Sequence, residues 1–201
     1  MKIGITINEV LRDFIGQLAY TYNKYIDEID VTNDDITNFN LIEFFKFDSV
    51  DKFNRFLYIE APLEIFGHAD QLSDGLMTHF NNFLTDIEDD EEHEIMLISR
   101  EVEKSIPSTL FFLSKTGCRA KNLKFVTNYT QKWDDVDVLI TANPETLESK
   151  PNNKISIKVK SSYNTNIASD YEIDSILDFI NNKELRDKIL NTKITNYEEI
   201  N

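Results

Sequence analysis

The chain has 201 residues, 41% of them hydrophobic with 14 Phe and 8 Tyr, and a formal net charge of −15. That is apolar material for one α/β domain with a modest insertion or small cap. The charge would repel a phosphate backbone and no run of about 18 apolar residues occurs, so direct nucleic-acid binding and a membrane span are both excluded.

Met1-Lys2-Ile3-Gly4 lacks the basic and apolar regions of a signal peptide and instead opens a strand over residues 2–7. Cys118 is the only cysteine, which suits a reducing compartment and a cytoplasmic site of synthesis. Val10, Leu11, Phe14, Leu18, Tyr22, Tyr25, Ile26 and Ile29 then recur at helical spacing and predict a helix over 10–29. Residues 30–68 are rich in aromatics broken by Asn and Asp, and predict short helices at 41–45 and 49–57. A longer helix is expected at 70–87, followed by an acidic run over 88–94 that reads as a solvated connector.

Beyond it a strand–helix rhythm sets in. Strands are expected at 94–99, 123–127, 137–141, Ile155–Val159 and Tyr171–Ile173, with helices at Ser105–Lys115, 144–149 and 174–182. Pro107 near the start of the second helix of this half and Gly117 past its end fit the usual asymmetry of helix termini. This pattern predicts a doubly wound, mostly parallel, Rossmann-like α/β sheet. The expected organisation is a core of residues 1–14 and 91–183, a helical cap insertion over 15–90 and a tail over 184–201.

Function in such sheets gathers at the carboxyl ends of the strands. After the first strand stands Thr6-Ile7-Asn8-Glu9-Val10-Leu11-Arg12-Asp13-Phe14. This resembles the haloacid dehalogenase-like superfamily, in its 5′-nucleotidase and deoxyribonucleotidase branch, whose opening motif is Asp-x-Asp-Gly-Val-Leu-x-Asp-Phe. Met96-Leu97-Ile98-Ser99 resembles the strand ending in the phosphate-binding Ser or Thr, Lys132 lies near the place of the third-motif lysine, and Val138-Leu139-Ile140-Thr141-Ala142-Asn143-Pro144 resembles the strand that normally ends in acids.

The resemblance implies an aspartate nucleophile, an aspartate acid/base and Mg²⁺ held by carboxylates. Here Thr6 and Asn8 stand at the two aspartate positions, Glu9 replaces the glycine, and Thr141 and Ala142 stand where acids would hold the metal. The expectation is therefore a pseudoenzyme with no catalytic residue, no cofactor and no metal. A residual anion site is conceivable from Ser99, Lys132 and the helix start at Ser105, opposed by the charge of Glu9. His68, His79 and His93 share no metal-ligand spacing.

A dead hydrolase domain implies a structural or assembly role. Abundant Asn, Ile and Lys resemble the texture of virion proteins of crAss-like tailed bacteriophages, which implies protein partners and a homo-oligomeric ring or connector at a portal–tail junction. Two other functions compete. One is a 5′-nucleotidase-like phosphatase with non-standard residues, drawing a metal site from Asp13, Asp134, Asp135 or Asp137. The other is a regulatory module that binds a nucleotide without cleaving it.

Overall fold

A computed structural model of the chain describes residues 1–88 and 92–191. Six parallel strands form one sheet: β1 (Lys2–Thr6), β2 (Glu94–Arg100), β3 (Asn122–Val126), β4 (Val138–Thr141), β5 (Ile155–Val159) and β6 (Tyr171–Ile173), in the order β3-β2-β1-β4-β5-β6. Helices α1 (Phe14–Tyr25), α2 (Val50–Arg55), α3 (Leu76–Glu88), α4 (Ser105–Lys115), α5 (Pro144–Glu148), α6 (Ile176–Asn181) and α7 (Lys183–Leu190) accompany it. This is the doubly wound α/β class the strand–helix rhythm predicts. Every residue of β4 and β5 is buried, as in a sheet covered on both faces. The strand order reverses between β1 and β4, which places a crevice beyond their carboxyl ends.

Gly4, in the middle of β1, pairs with Met96 of β2 and Leu139 of β4. A Cβ here would lie 2.8 Å from Leu139 Cδ1 and 2.9 Å from Val136 Cγ1. The sheet and the layer over it close on this point because no side chain intervenes.

The turn after β1 differs from expectation. Helix α1 begins at Phe14, four residues later than its apolar spacing suggests. Residues 7–12 instead fold on themselves: the amides of Leu11 and Arg12 both donate to Ile7 O, at 2.9 and 3.0 Å, and Glu9 N donates to Arg12 O at 2.9 Å. Val10 and Leu11 are buried from this turn, so their apolar character reports core contact and not helical phase. Asp13 then caps α1, its carboxylate accepting from Gly16 N at 3.0 Å.

The aromatic stretch forms the expected cap, but its geometry is unusual. A short turn at Leu41–Glu43 and α2 are followed by two π-helical turns, Phe56–Glu60 and Leu63–Gly67. Their wide bonds run from Ala61 N to Phe56 O and from His68 N to Leu63 O, each 2.9 Å. Packing dictates this. Tyr22 of α1 meets Phe45 and Phe47 edge-on at 5.5 and 5.3 Å, and Phe66 stacks on Phe14 at 5.3 Å. Helix α3, within the stretch assigned to the cap, packs on β2 and α6 and belongs by its contacts to the core. The final helical stretch is two helices meeting at Asn182, whose side chain caps α7. Residues 89–91 of the acidic run and 192–201 of the tail lie outside the described residues. Among the described residues, no helix is long and apolar enough to cross a membrane.

Replacing Gly4 by Ala forces a methyl group into the β1–β4 contact. The variant is expected to lose about 1–3 kcal/mol, the usual cost of overpacking, seen as a lower urea midpoint at unchanged slope.

Candidate active site

A cavity of about 200 Å³ lies beyond the carboxyl ends of β1, β2 and β4. Its floor is built by Thr6 to Glu9 after β1, Ser99 and Arg100 at the end of β2, Tyr129 and Lys132 after β3, and Asn143 and Glu145 after β4. Its roof is the aromatic cap, with Phe39, Phe53, Tyr58 and Phe66 facing the space. The sheet thus delivers the motif positions to one place, as its topology requires.

The motif residues bond mainly to one another. Thr6 Oγ1 donates to Thr141 Oγ1 at 3.2 Å, and Thr141 Oγ1 accepts from Asn143 N at 3.1 Å. Asn143 caps α5, accepting from Thr146 N and Thr146 Oγ1 at 2.8 Å each, and Pro144 fills the first helical position. The carbonyl of Ala142 accepts from Asn164 Nδ2 at 2.9 Å. Ser99 and Lys132 line the cavity, whereas Ser105 does not: its hydroxyl donates to Val102 O at 2.6 Å, inside its own turn.

These positions do not fit a magnesium ion. The ion needs near-octahedral oxygen ligands, usually with carboxylates among them, and Asn8 Oδ1 is already occupied by Arg12 Nε (2.8 Å) and Nη2. Nor do the alternative aspartates converge there. Asp13 caps α1, Asp134 and Asp135 pair with Lys124, and Asp137 pairs with Lys154 and accepts from Lys2 N at the other end of the sheet. Among the described residues no three His, Cys, Asp or Glu gather where a metal could be held.

Beneath the cavity lies a buried ion pair. Arg12 and Glu101 both have side chains at 0% exposure, and Arg12 Nη2 meets Glu101 Oε1 at 2.8 Å. Arg12 Nη1 also donates to Phe66 O in the cap (2.9 Å) and to Thr109 Oγ1 in α4 (2.7 Å). Its guanidinium lies between the rings of Phe66 and Phe112. Glu101 Oε1 further accepts from Ser99 Oγ at 2.8 Å and Thr109 Oγ1 at 3.0 Å. Burial lowers the pKa of Arg12 from its ordinary value, and the adjacent Glu101 opposes this.

Two groups on the cavity wall are tuned toward neutrality. Glu9 stands at φ 58°, in the left-handed region a glycine would favour. Its Oε1 accepts from Ile15 N at 2.9 Å in the first turn of α1. Burial pushes its carboxyl up to about 7, against the pull of that backbone bond. Burial also pulls the Lys132 ammonium down to about 7, with Glu101 opposing and Arg100 assisting. Lys132 and Arg100 both lie 5.0 Å from the ring of Tyr129, whose phenol burial pushes up to about 12. Arg100 Nη1 donates to Tyr58 OH in the cap at 3.2 Å.

Glu9, Arg12, Arg100 and Glu101 carry most of this electrostatics, and the motif reading missed them in these roles. Glu9 was weighed only as a repulsive charge. Arg100 and Glu101 directly follow the motif serine, which was the available signal.

No protein-family model and no curated protein matches the chain. Solved structures do match its fold. One is a candidate haloacid dehalogenase-like hydrolase from Burkholderia xenovorans LB400, with a TM-score of 0.58 at 9% identity, covering 92% of this chain and 96% of that one. Another is a phosphonoacetaldehyde hydrolase-like protein from Oleispira antarctica, with a TM-score of 0.57 at 10% identity, covering 96% and 95%. The fold is therefore haloacid dehalogenase-like. The expectation of a domain without an enzymatic role is corrected: both matched structures are described as hydrolases or hydrolase-like. The crevice expected to lack carboxylates also holds Glu9, with Glu145 at its rim.

Changing Glu101 to Gln leaves the Arg12 charge buried without its counter-ion. Loss of about 3–5 kcal/mol is expected on urea unfolding. The double variant Arg12→Met with Glu101→Met is expected to lose much less than the two single changes summed, which a double-mutant cycle reads directly.

Proposed function

We propose that the chain is a hydrolase acting on small phosphate esters of the nucleotide type, with residues other than the family's aspartates. The observation that supports it is the convergence of Glu9, Lys132, Ser99 and Arg100 on one closed, aromatic-walled cavity at the switch point of the sheet. Phosphoryl transfer asks mainly for positioning and for positive charge around the transferred group. Lys132, Arg100 and the Ser99 hydroxyl supply the anion site, and the aromatic walls receive the flat, apolar part of the substrate.

In this reading Glu9 takes a proton from water as the water oxygen bonds to phosphorus. The P–O bond to the leaving group breaks, and the Lys132 ammonium donates a proton to the departing oxygen. Glu9 acts when deprotonated and Lys132 when protonated. Since both titrate near 7, activity is expected to rise and then fall around neutrality, in a narrow bell. Asp13, Arg12 and Tyr163 face Glu9, and Glu101, Arg100, Glu145 and Tyr129 face Lys132.

The test is phosphate release from dTMP and p-nitrophenyl phosphate, assayed with and without magnesium. Glu9→Gln is expected to cut turnover by about 10²–10⁴-fold. The same change separates chemistry from folding. The raised carboxyl pKa stabilises the folded chain fully below the ordinary 4.5, and that contribution is lost as pH rises through about 7. Above pH 7, Glu9→Gln should therefore be inactive yet more stable in thermal unfolding. No release above buffer from either ester would sink the reading.

A part in an assembly is a separate property. Leu63 and Phe111, both exposed and both packed about Gly67, favour a protein contact there. A monomer by light scattering at high concentration would remove that reading and leave the enzymatic one untouched.

A further inference from the structure

Two lysines of this chain are almost fully buried, and they are treated very differently. Lys158, at 2% exposure, donates from Nζ to Ile167 O at 2.7 Å and pairs with Glu172 Oε1 at 2.7 Å. Its charge is answered, as buried charges usually are. Lys132, at 5% exposure, has no ion-pair partner among the described residues; Nζ lies 5.0 Å over the ring of Tyr129 and opens onto the cavity. Glu101 acts on it only from farther away, and its Oε1 is already shared by Arg12, Ser99 and Thr109. Arg100 lies over the same ring and adds repulsion.

A desolvated lysine without a counter-ion spends much of its time as a neutral amine, and its lone pair is then a nucleophile. The surroundings select what it can attack. Arg100 on the same wall attracts an anion. The aromatic roof excludes bulk water, which favours a condensation that expels water.

We propose that Lys132 is a covalent amine site for small carbonyl compounds that carry an anionic group, such as 2-oxo acids and aldehyde acids. The Nζ lone pair adds to the carbonyl carbon, the carbonyl oxygen leaves as water after taking up two protons from nitrogen, and a C=N bond joins ligand and lysine. Arg100 holds the anionic group. This inference goes beyond the hydrolase reading and does not require it.

The test uses the full chain with glyoxylate and sodium cyanoborohydride at pH 7. The reductant delivers hydride to the imine carbon, solvent protonates nitrogen, and a stable carboxymethyl adduct remains. The expected result is one adduct mapped by peptide mass spectrometry to Lys132, with Lys158 unlabelled. The α-amino group of Met1 serves as an internal reference. An exposed lysine at its usual pKa is neutral about once in 10³ at pH 7, so labelling of Lys132 should lead the exposed lysines on the order of 10²-fold.

Inorganic phosphate should slow labelling by competing at Arg100. Glu9→Gln should leave labelling intact even where it abolishes ester hydrolysis, so failure of one reading is distinguishable from failure of the other. Adducts scattered over exposed lysines without enrichment at Lys132, or labelling indifferent to phosphate, overturn the proposal. Both readouts use the unaltered chain, so the outcome stands even if Lys132→Met does not fold. Where that variant does fold, retention of the single adduct overturns it as well.

Discussion

One buried ion pair organises the functional end of this molecule. Arg12 leaves the turn after β1, Glu101 leaves the end of β2, and they meet at 2.8 Å with no exposure to water. A charge so placed is tolerated only when its bonding capacity is met. Arg12 meets it by reaching Asn8, the Phe66 carbonyl of the cap and Thr109 of α4. The strand end, the roof and a flanking helix are therefore fixed relative to one another by a single guanidinium. The same network explains why Asn8 and Thr6 are poor places for a metal: the cation that Asn8 serves is a side chain of the protein itself.

With that end fixed, the cavity above it acquires its electrostatic character from burial more than from pairing. Glu9 and Lys132 are pushed in opposite directions to a common range near 7 by desolvation. A carboxyl and an amine brought to similar proton affinity can exchange roles as acid and base at neutral pH. The strained backbone at Glu9 fits this pattern, since left-handed conformations of residues other than glycine persist where surrounding structure holds them. Here the holding bond is that from Ile15 N to the Glu9 carboxylate.

The sheet was legible because fully buried parallel strands write continuous apolar runs, such as Val138-Leu139-Ile140, into the sequence. The helices after β2 and β4 were legible through their terminal signals, Pro107, Gly117 and the Asn143-Pro144 pair. The cap resisted because π-helical turns have no distinct residue period, and because its aromatics serve an interior that the sequence does not name. Val10 and Leu11 misled for a related reason: a tight turn buried on the core carries the same apolar residues as a helix. At the site, the motif frame located Thr6, Ser99, Lys132 and Thr141 but not their chemistry. Comparing residue types with an aspartate template registers what is missing, whereas the proton affinity of Glu9 and Lys132 depends on a burial visible only in three dimensions.

The roof over the cavity is fastened along two hems. At one, Arg12 grips the Phe66 carbonyl; at the other, Ser162 Oγ donates to the carbonyls of Asn33 and Ile36 at 2.9 and 2.7 Å. A flap hung on a single hinge swings wide and admits anything that then fits below. A strip sewn down at both edges can only bulge between its seams. Screening of visitors by girth then happens at the threshold, before any chemistry, and the residues between the two seams become the ones that govern which molecules ever reach the floor.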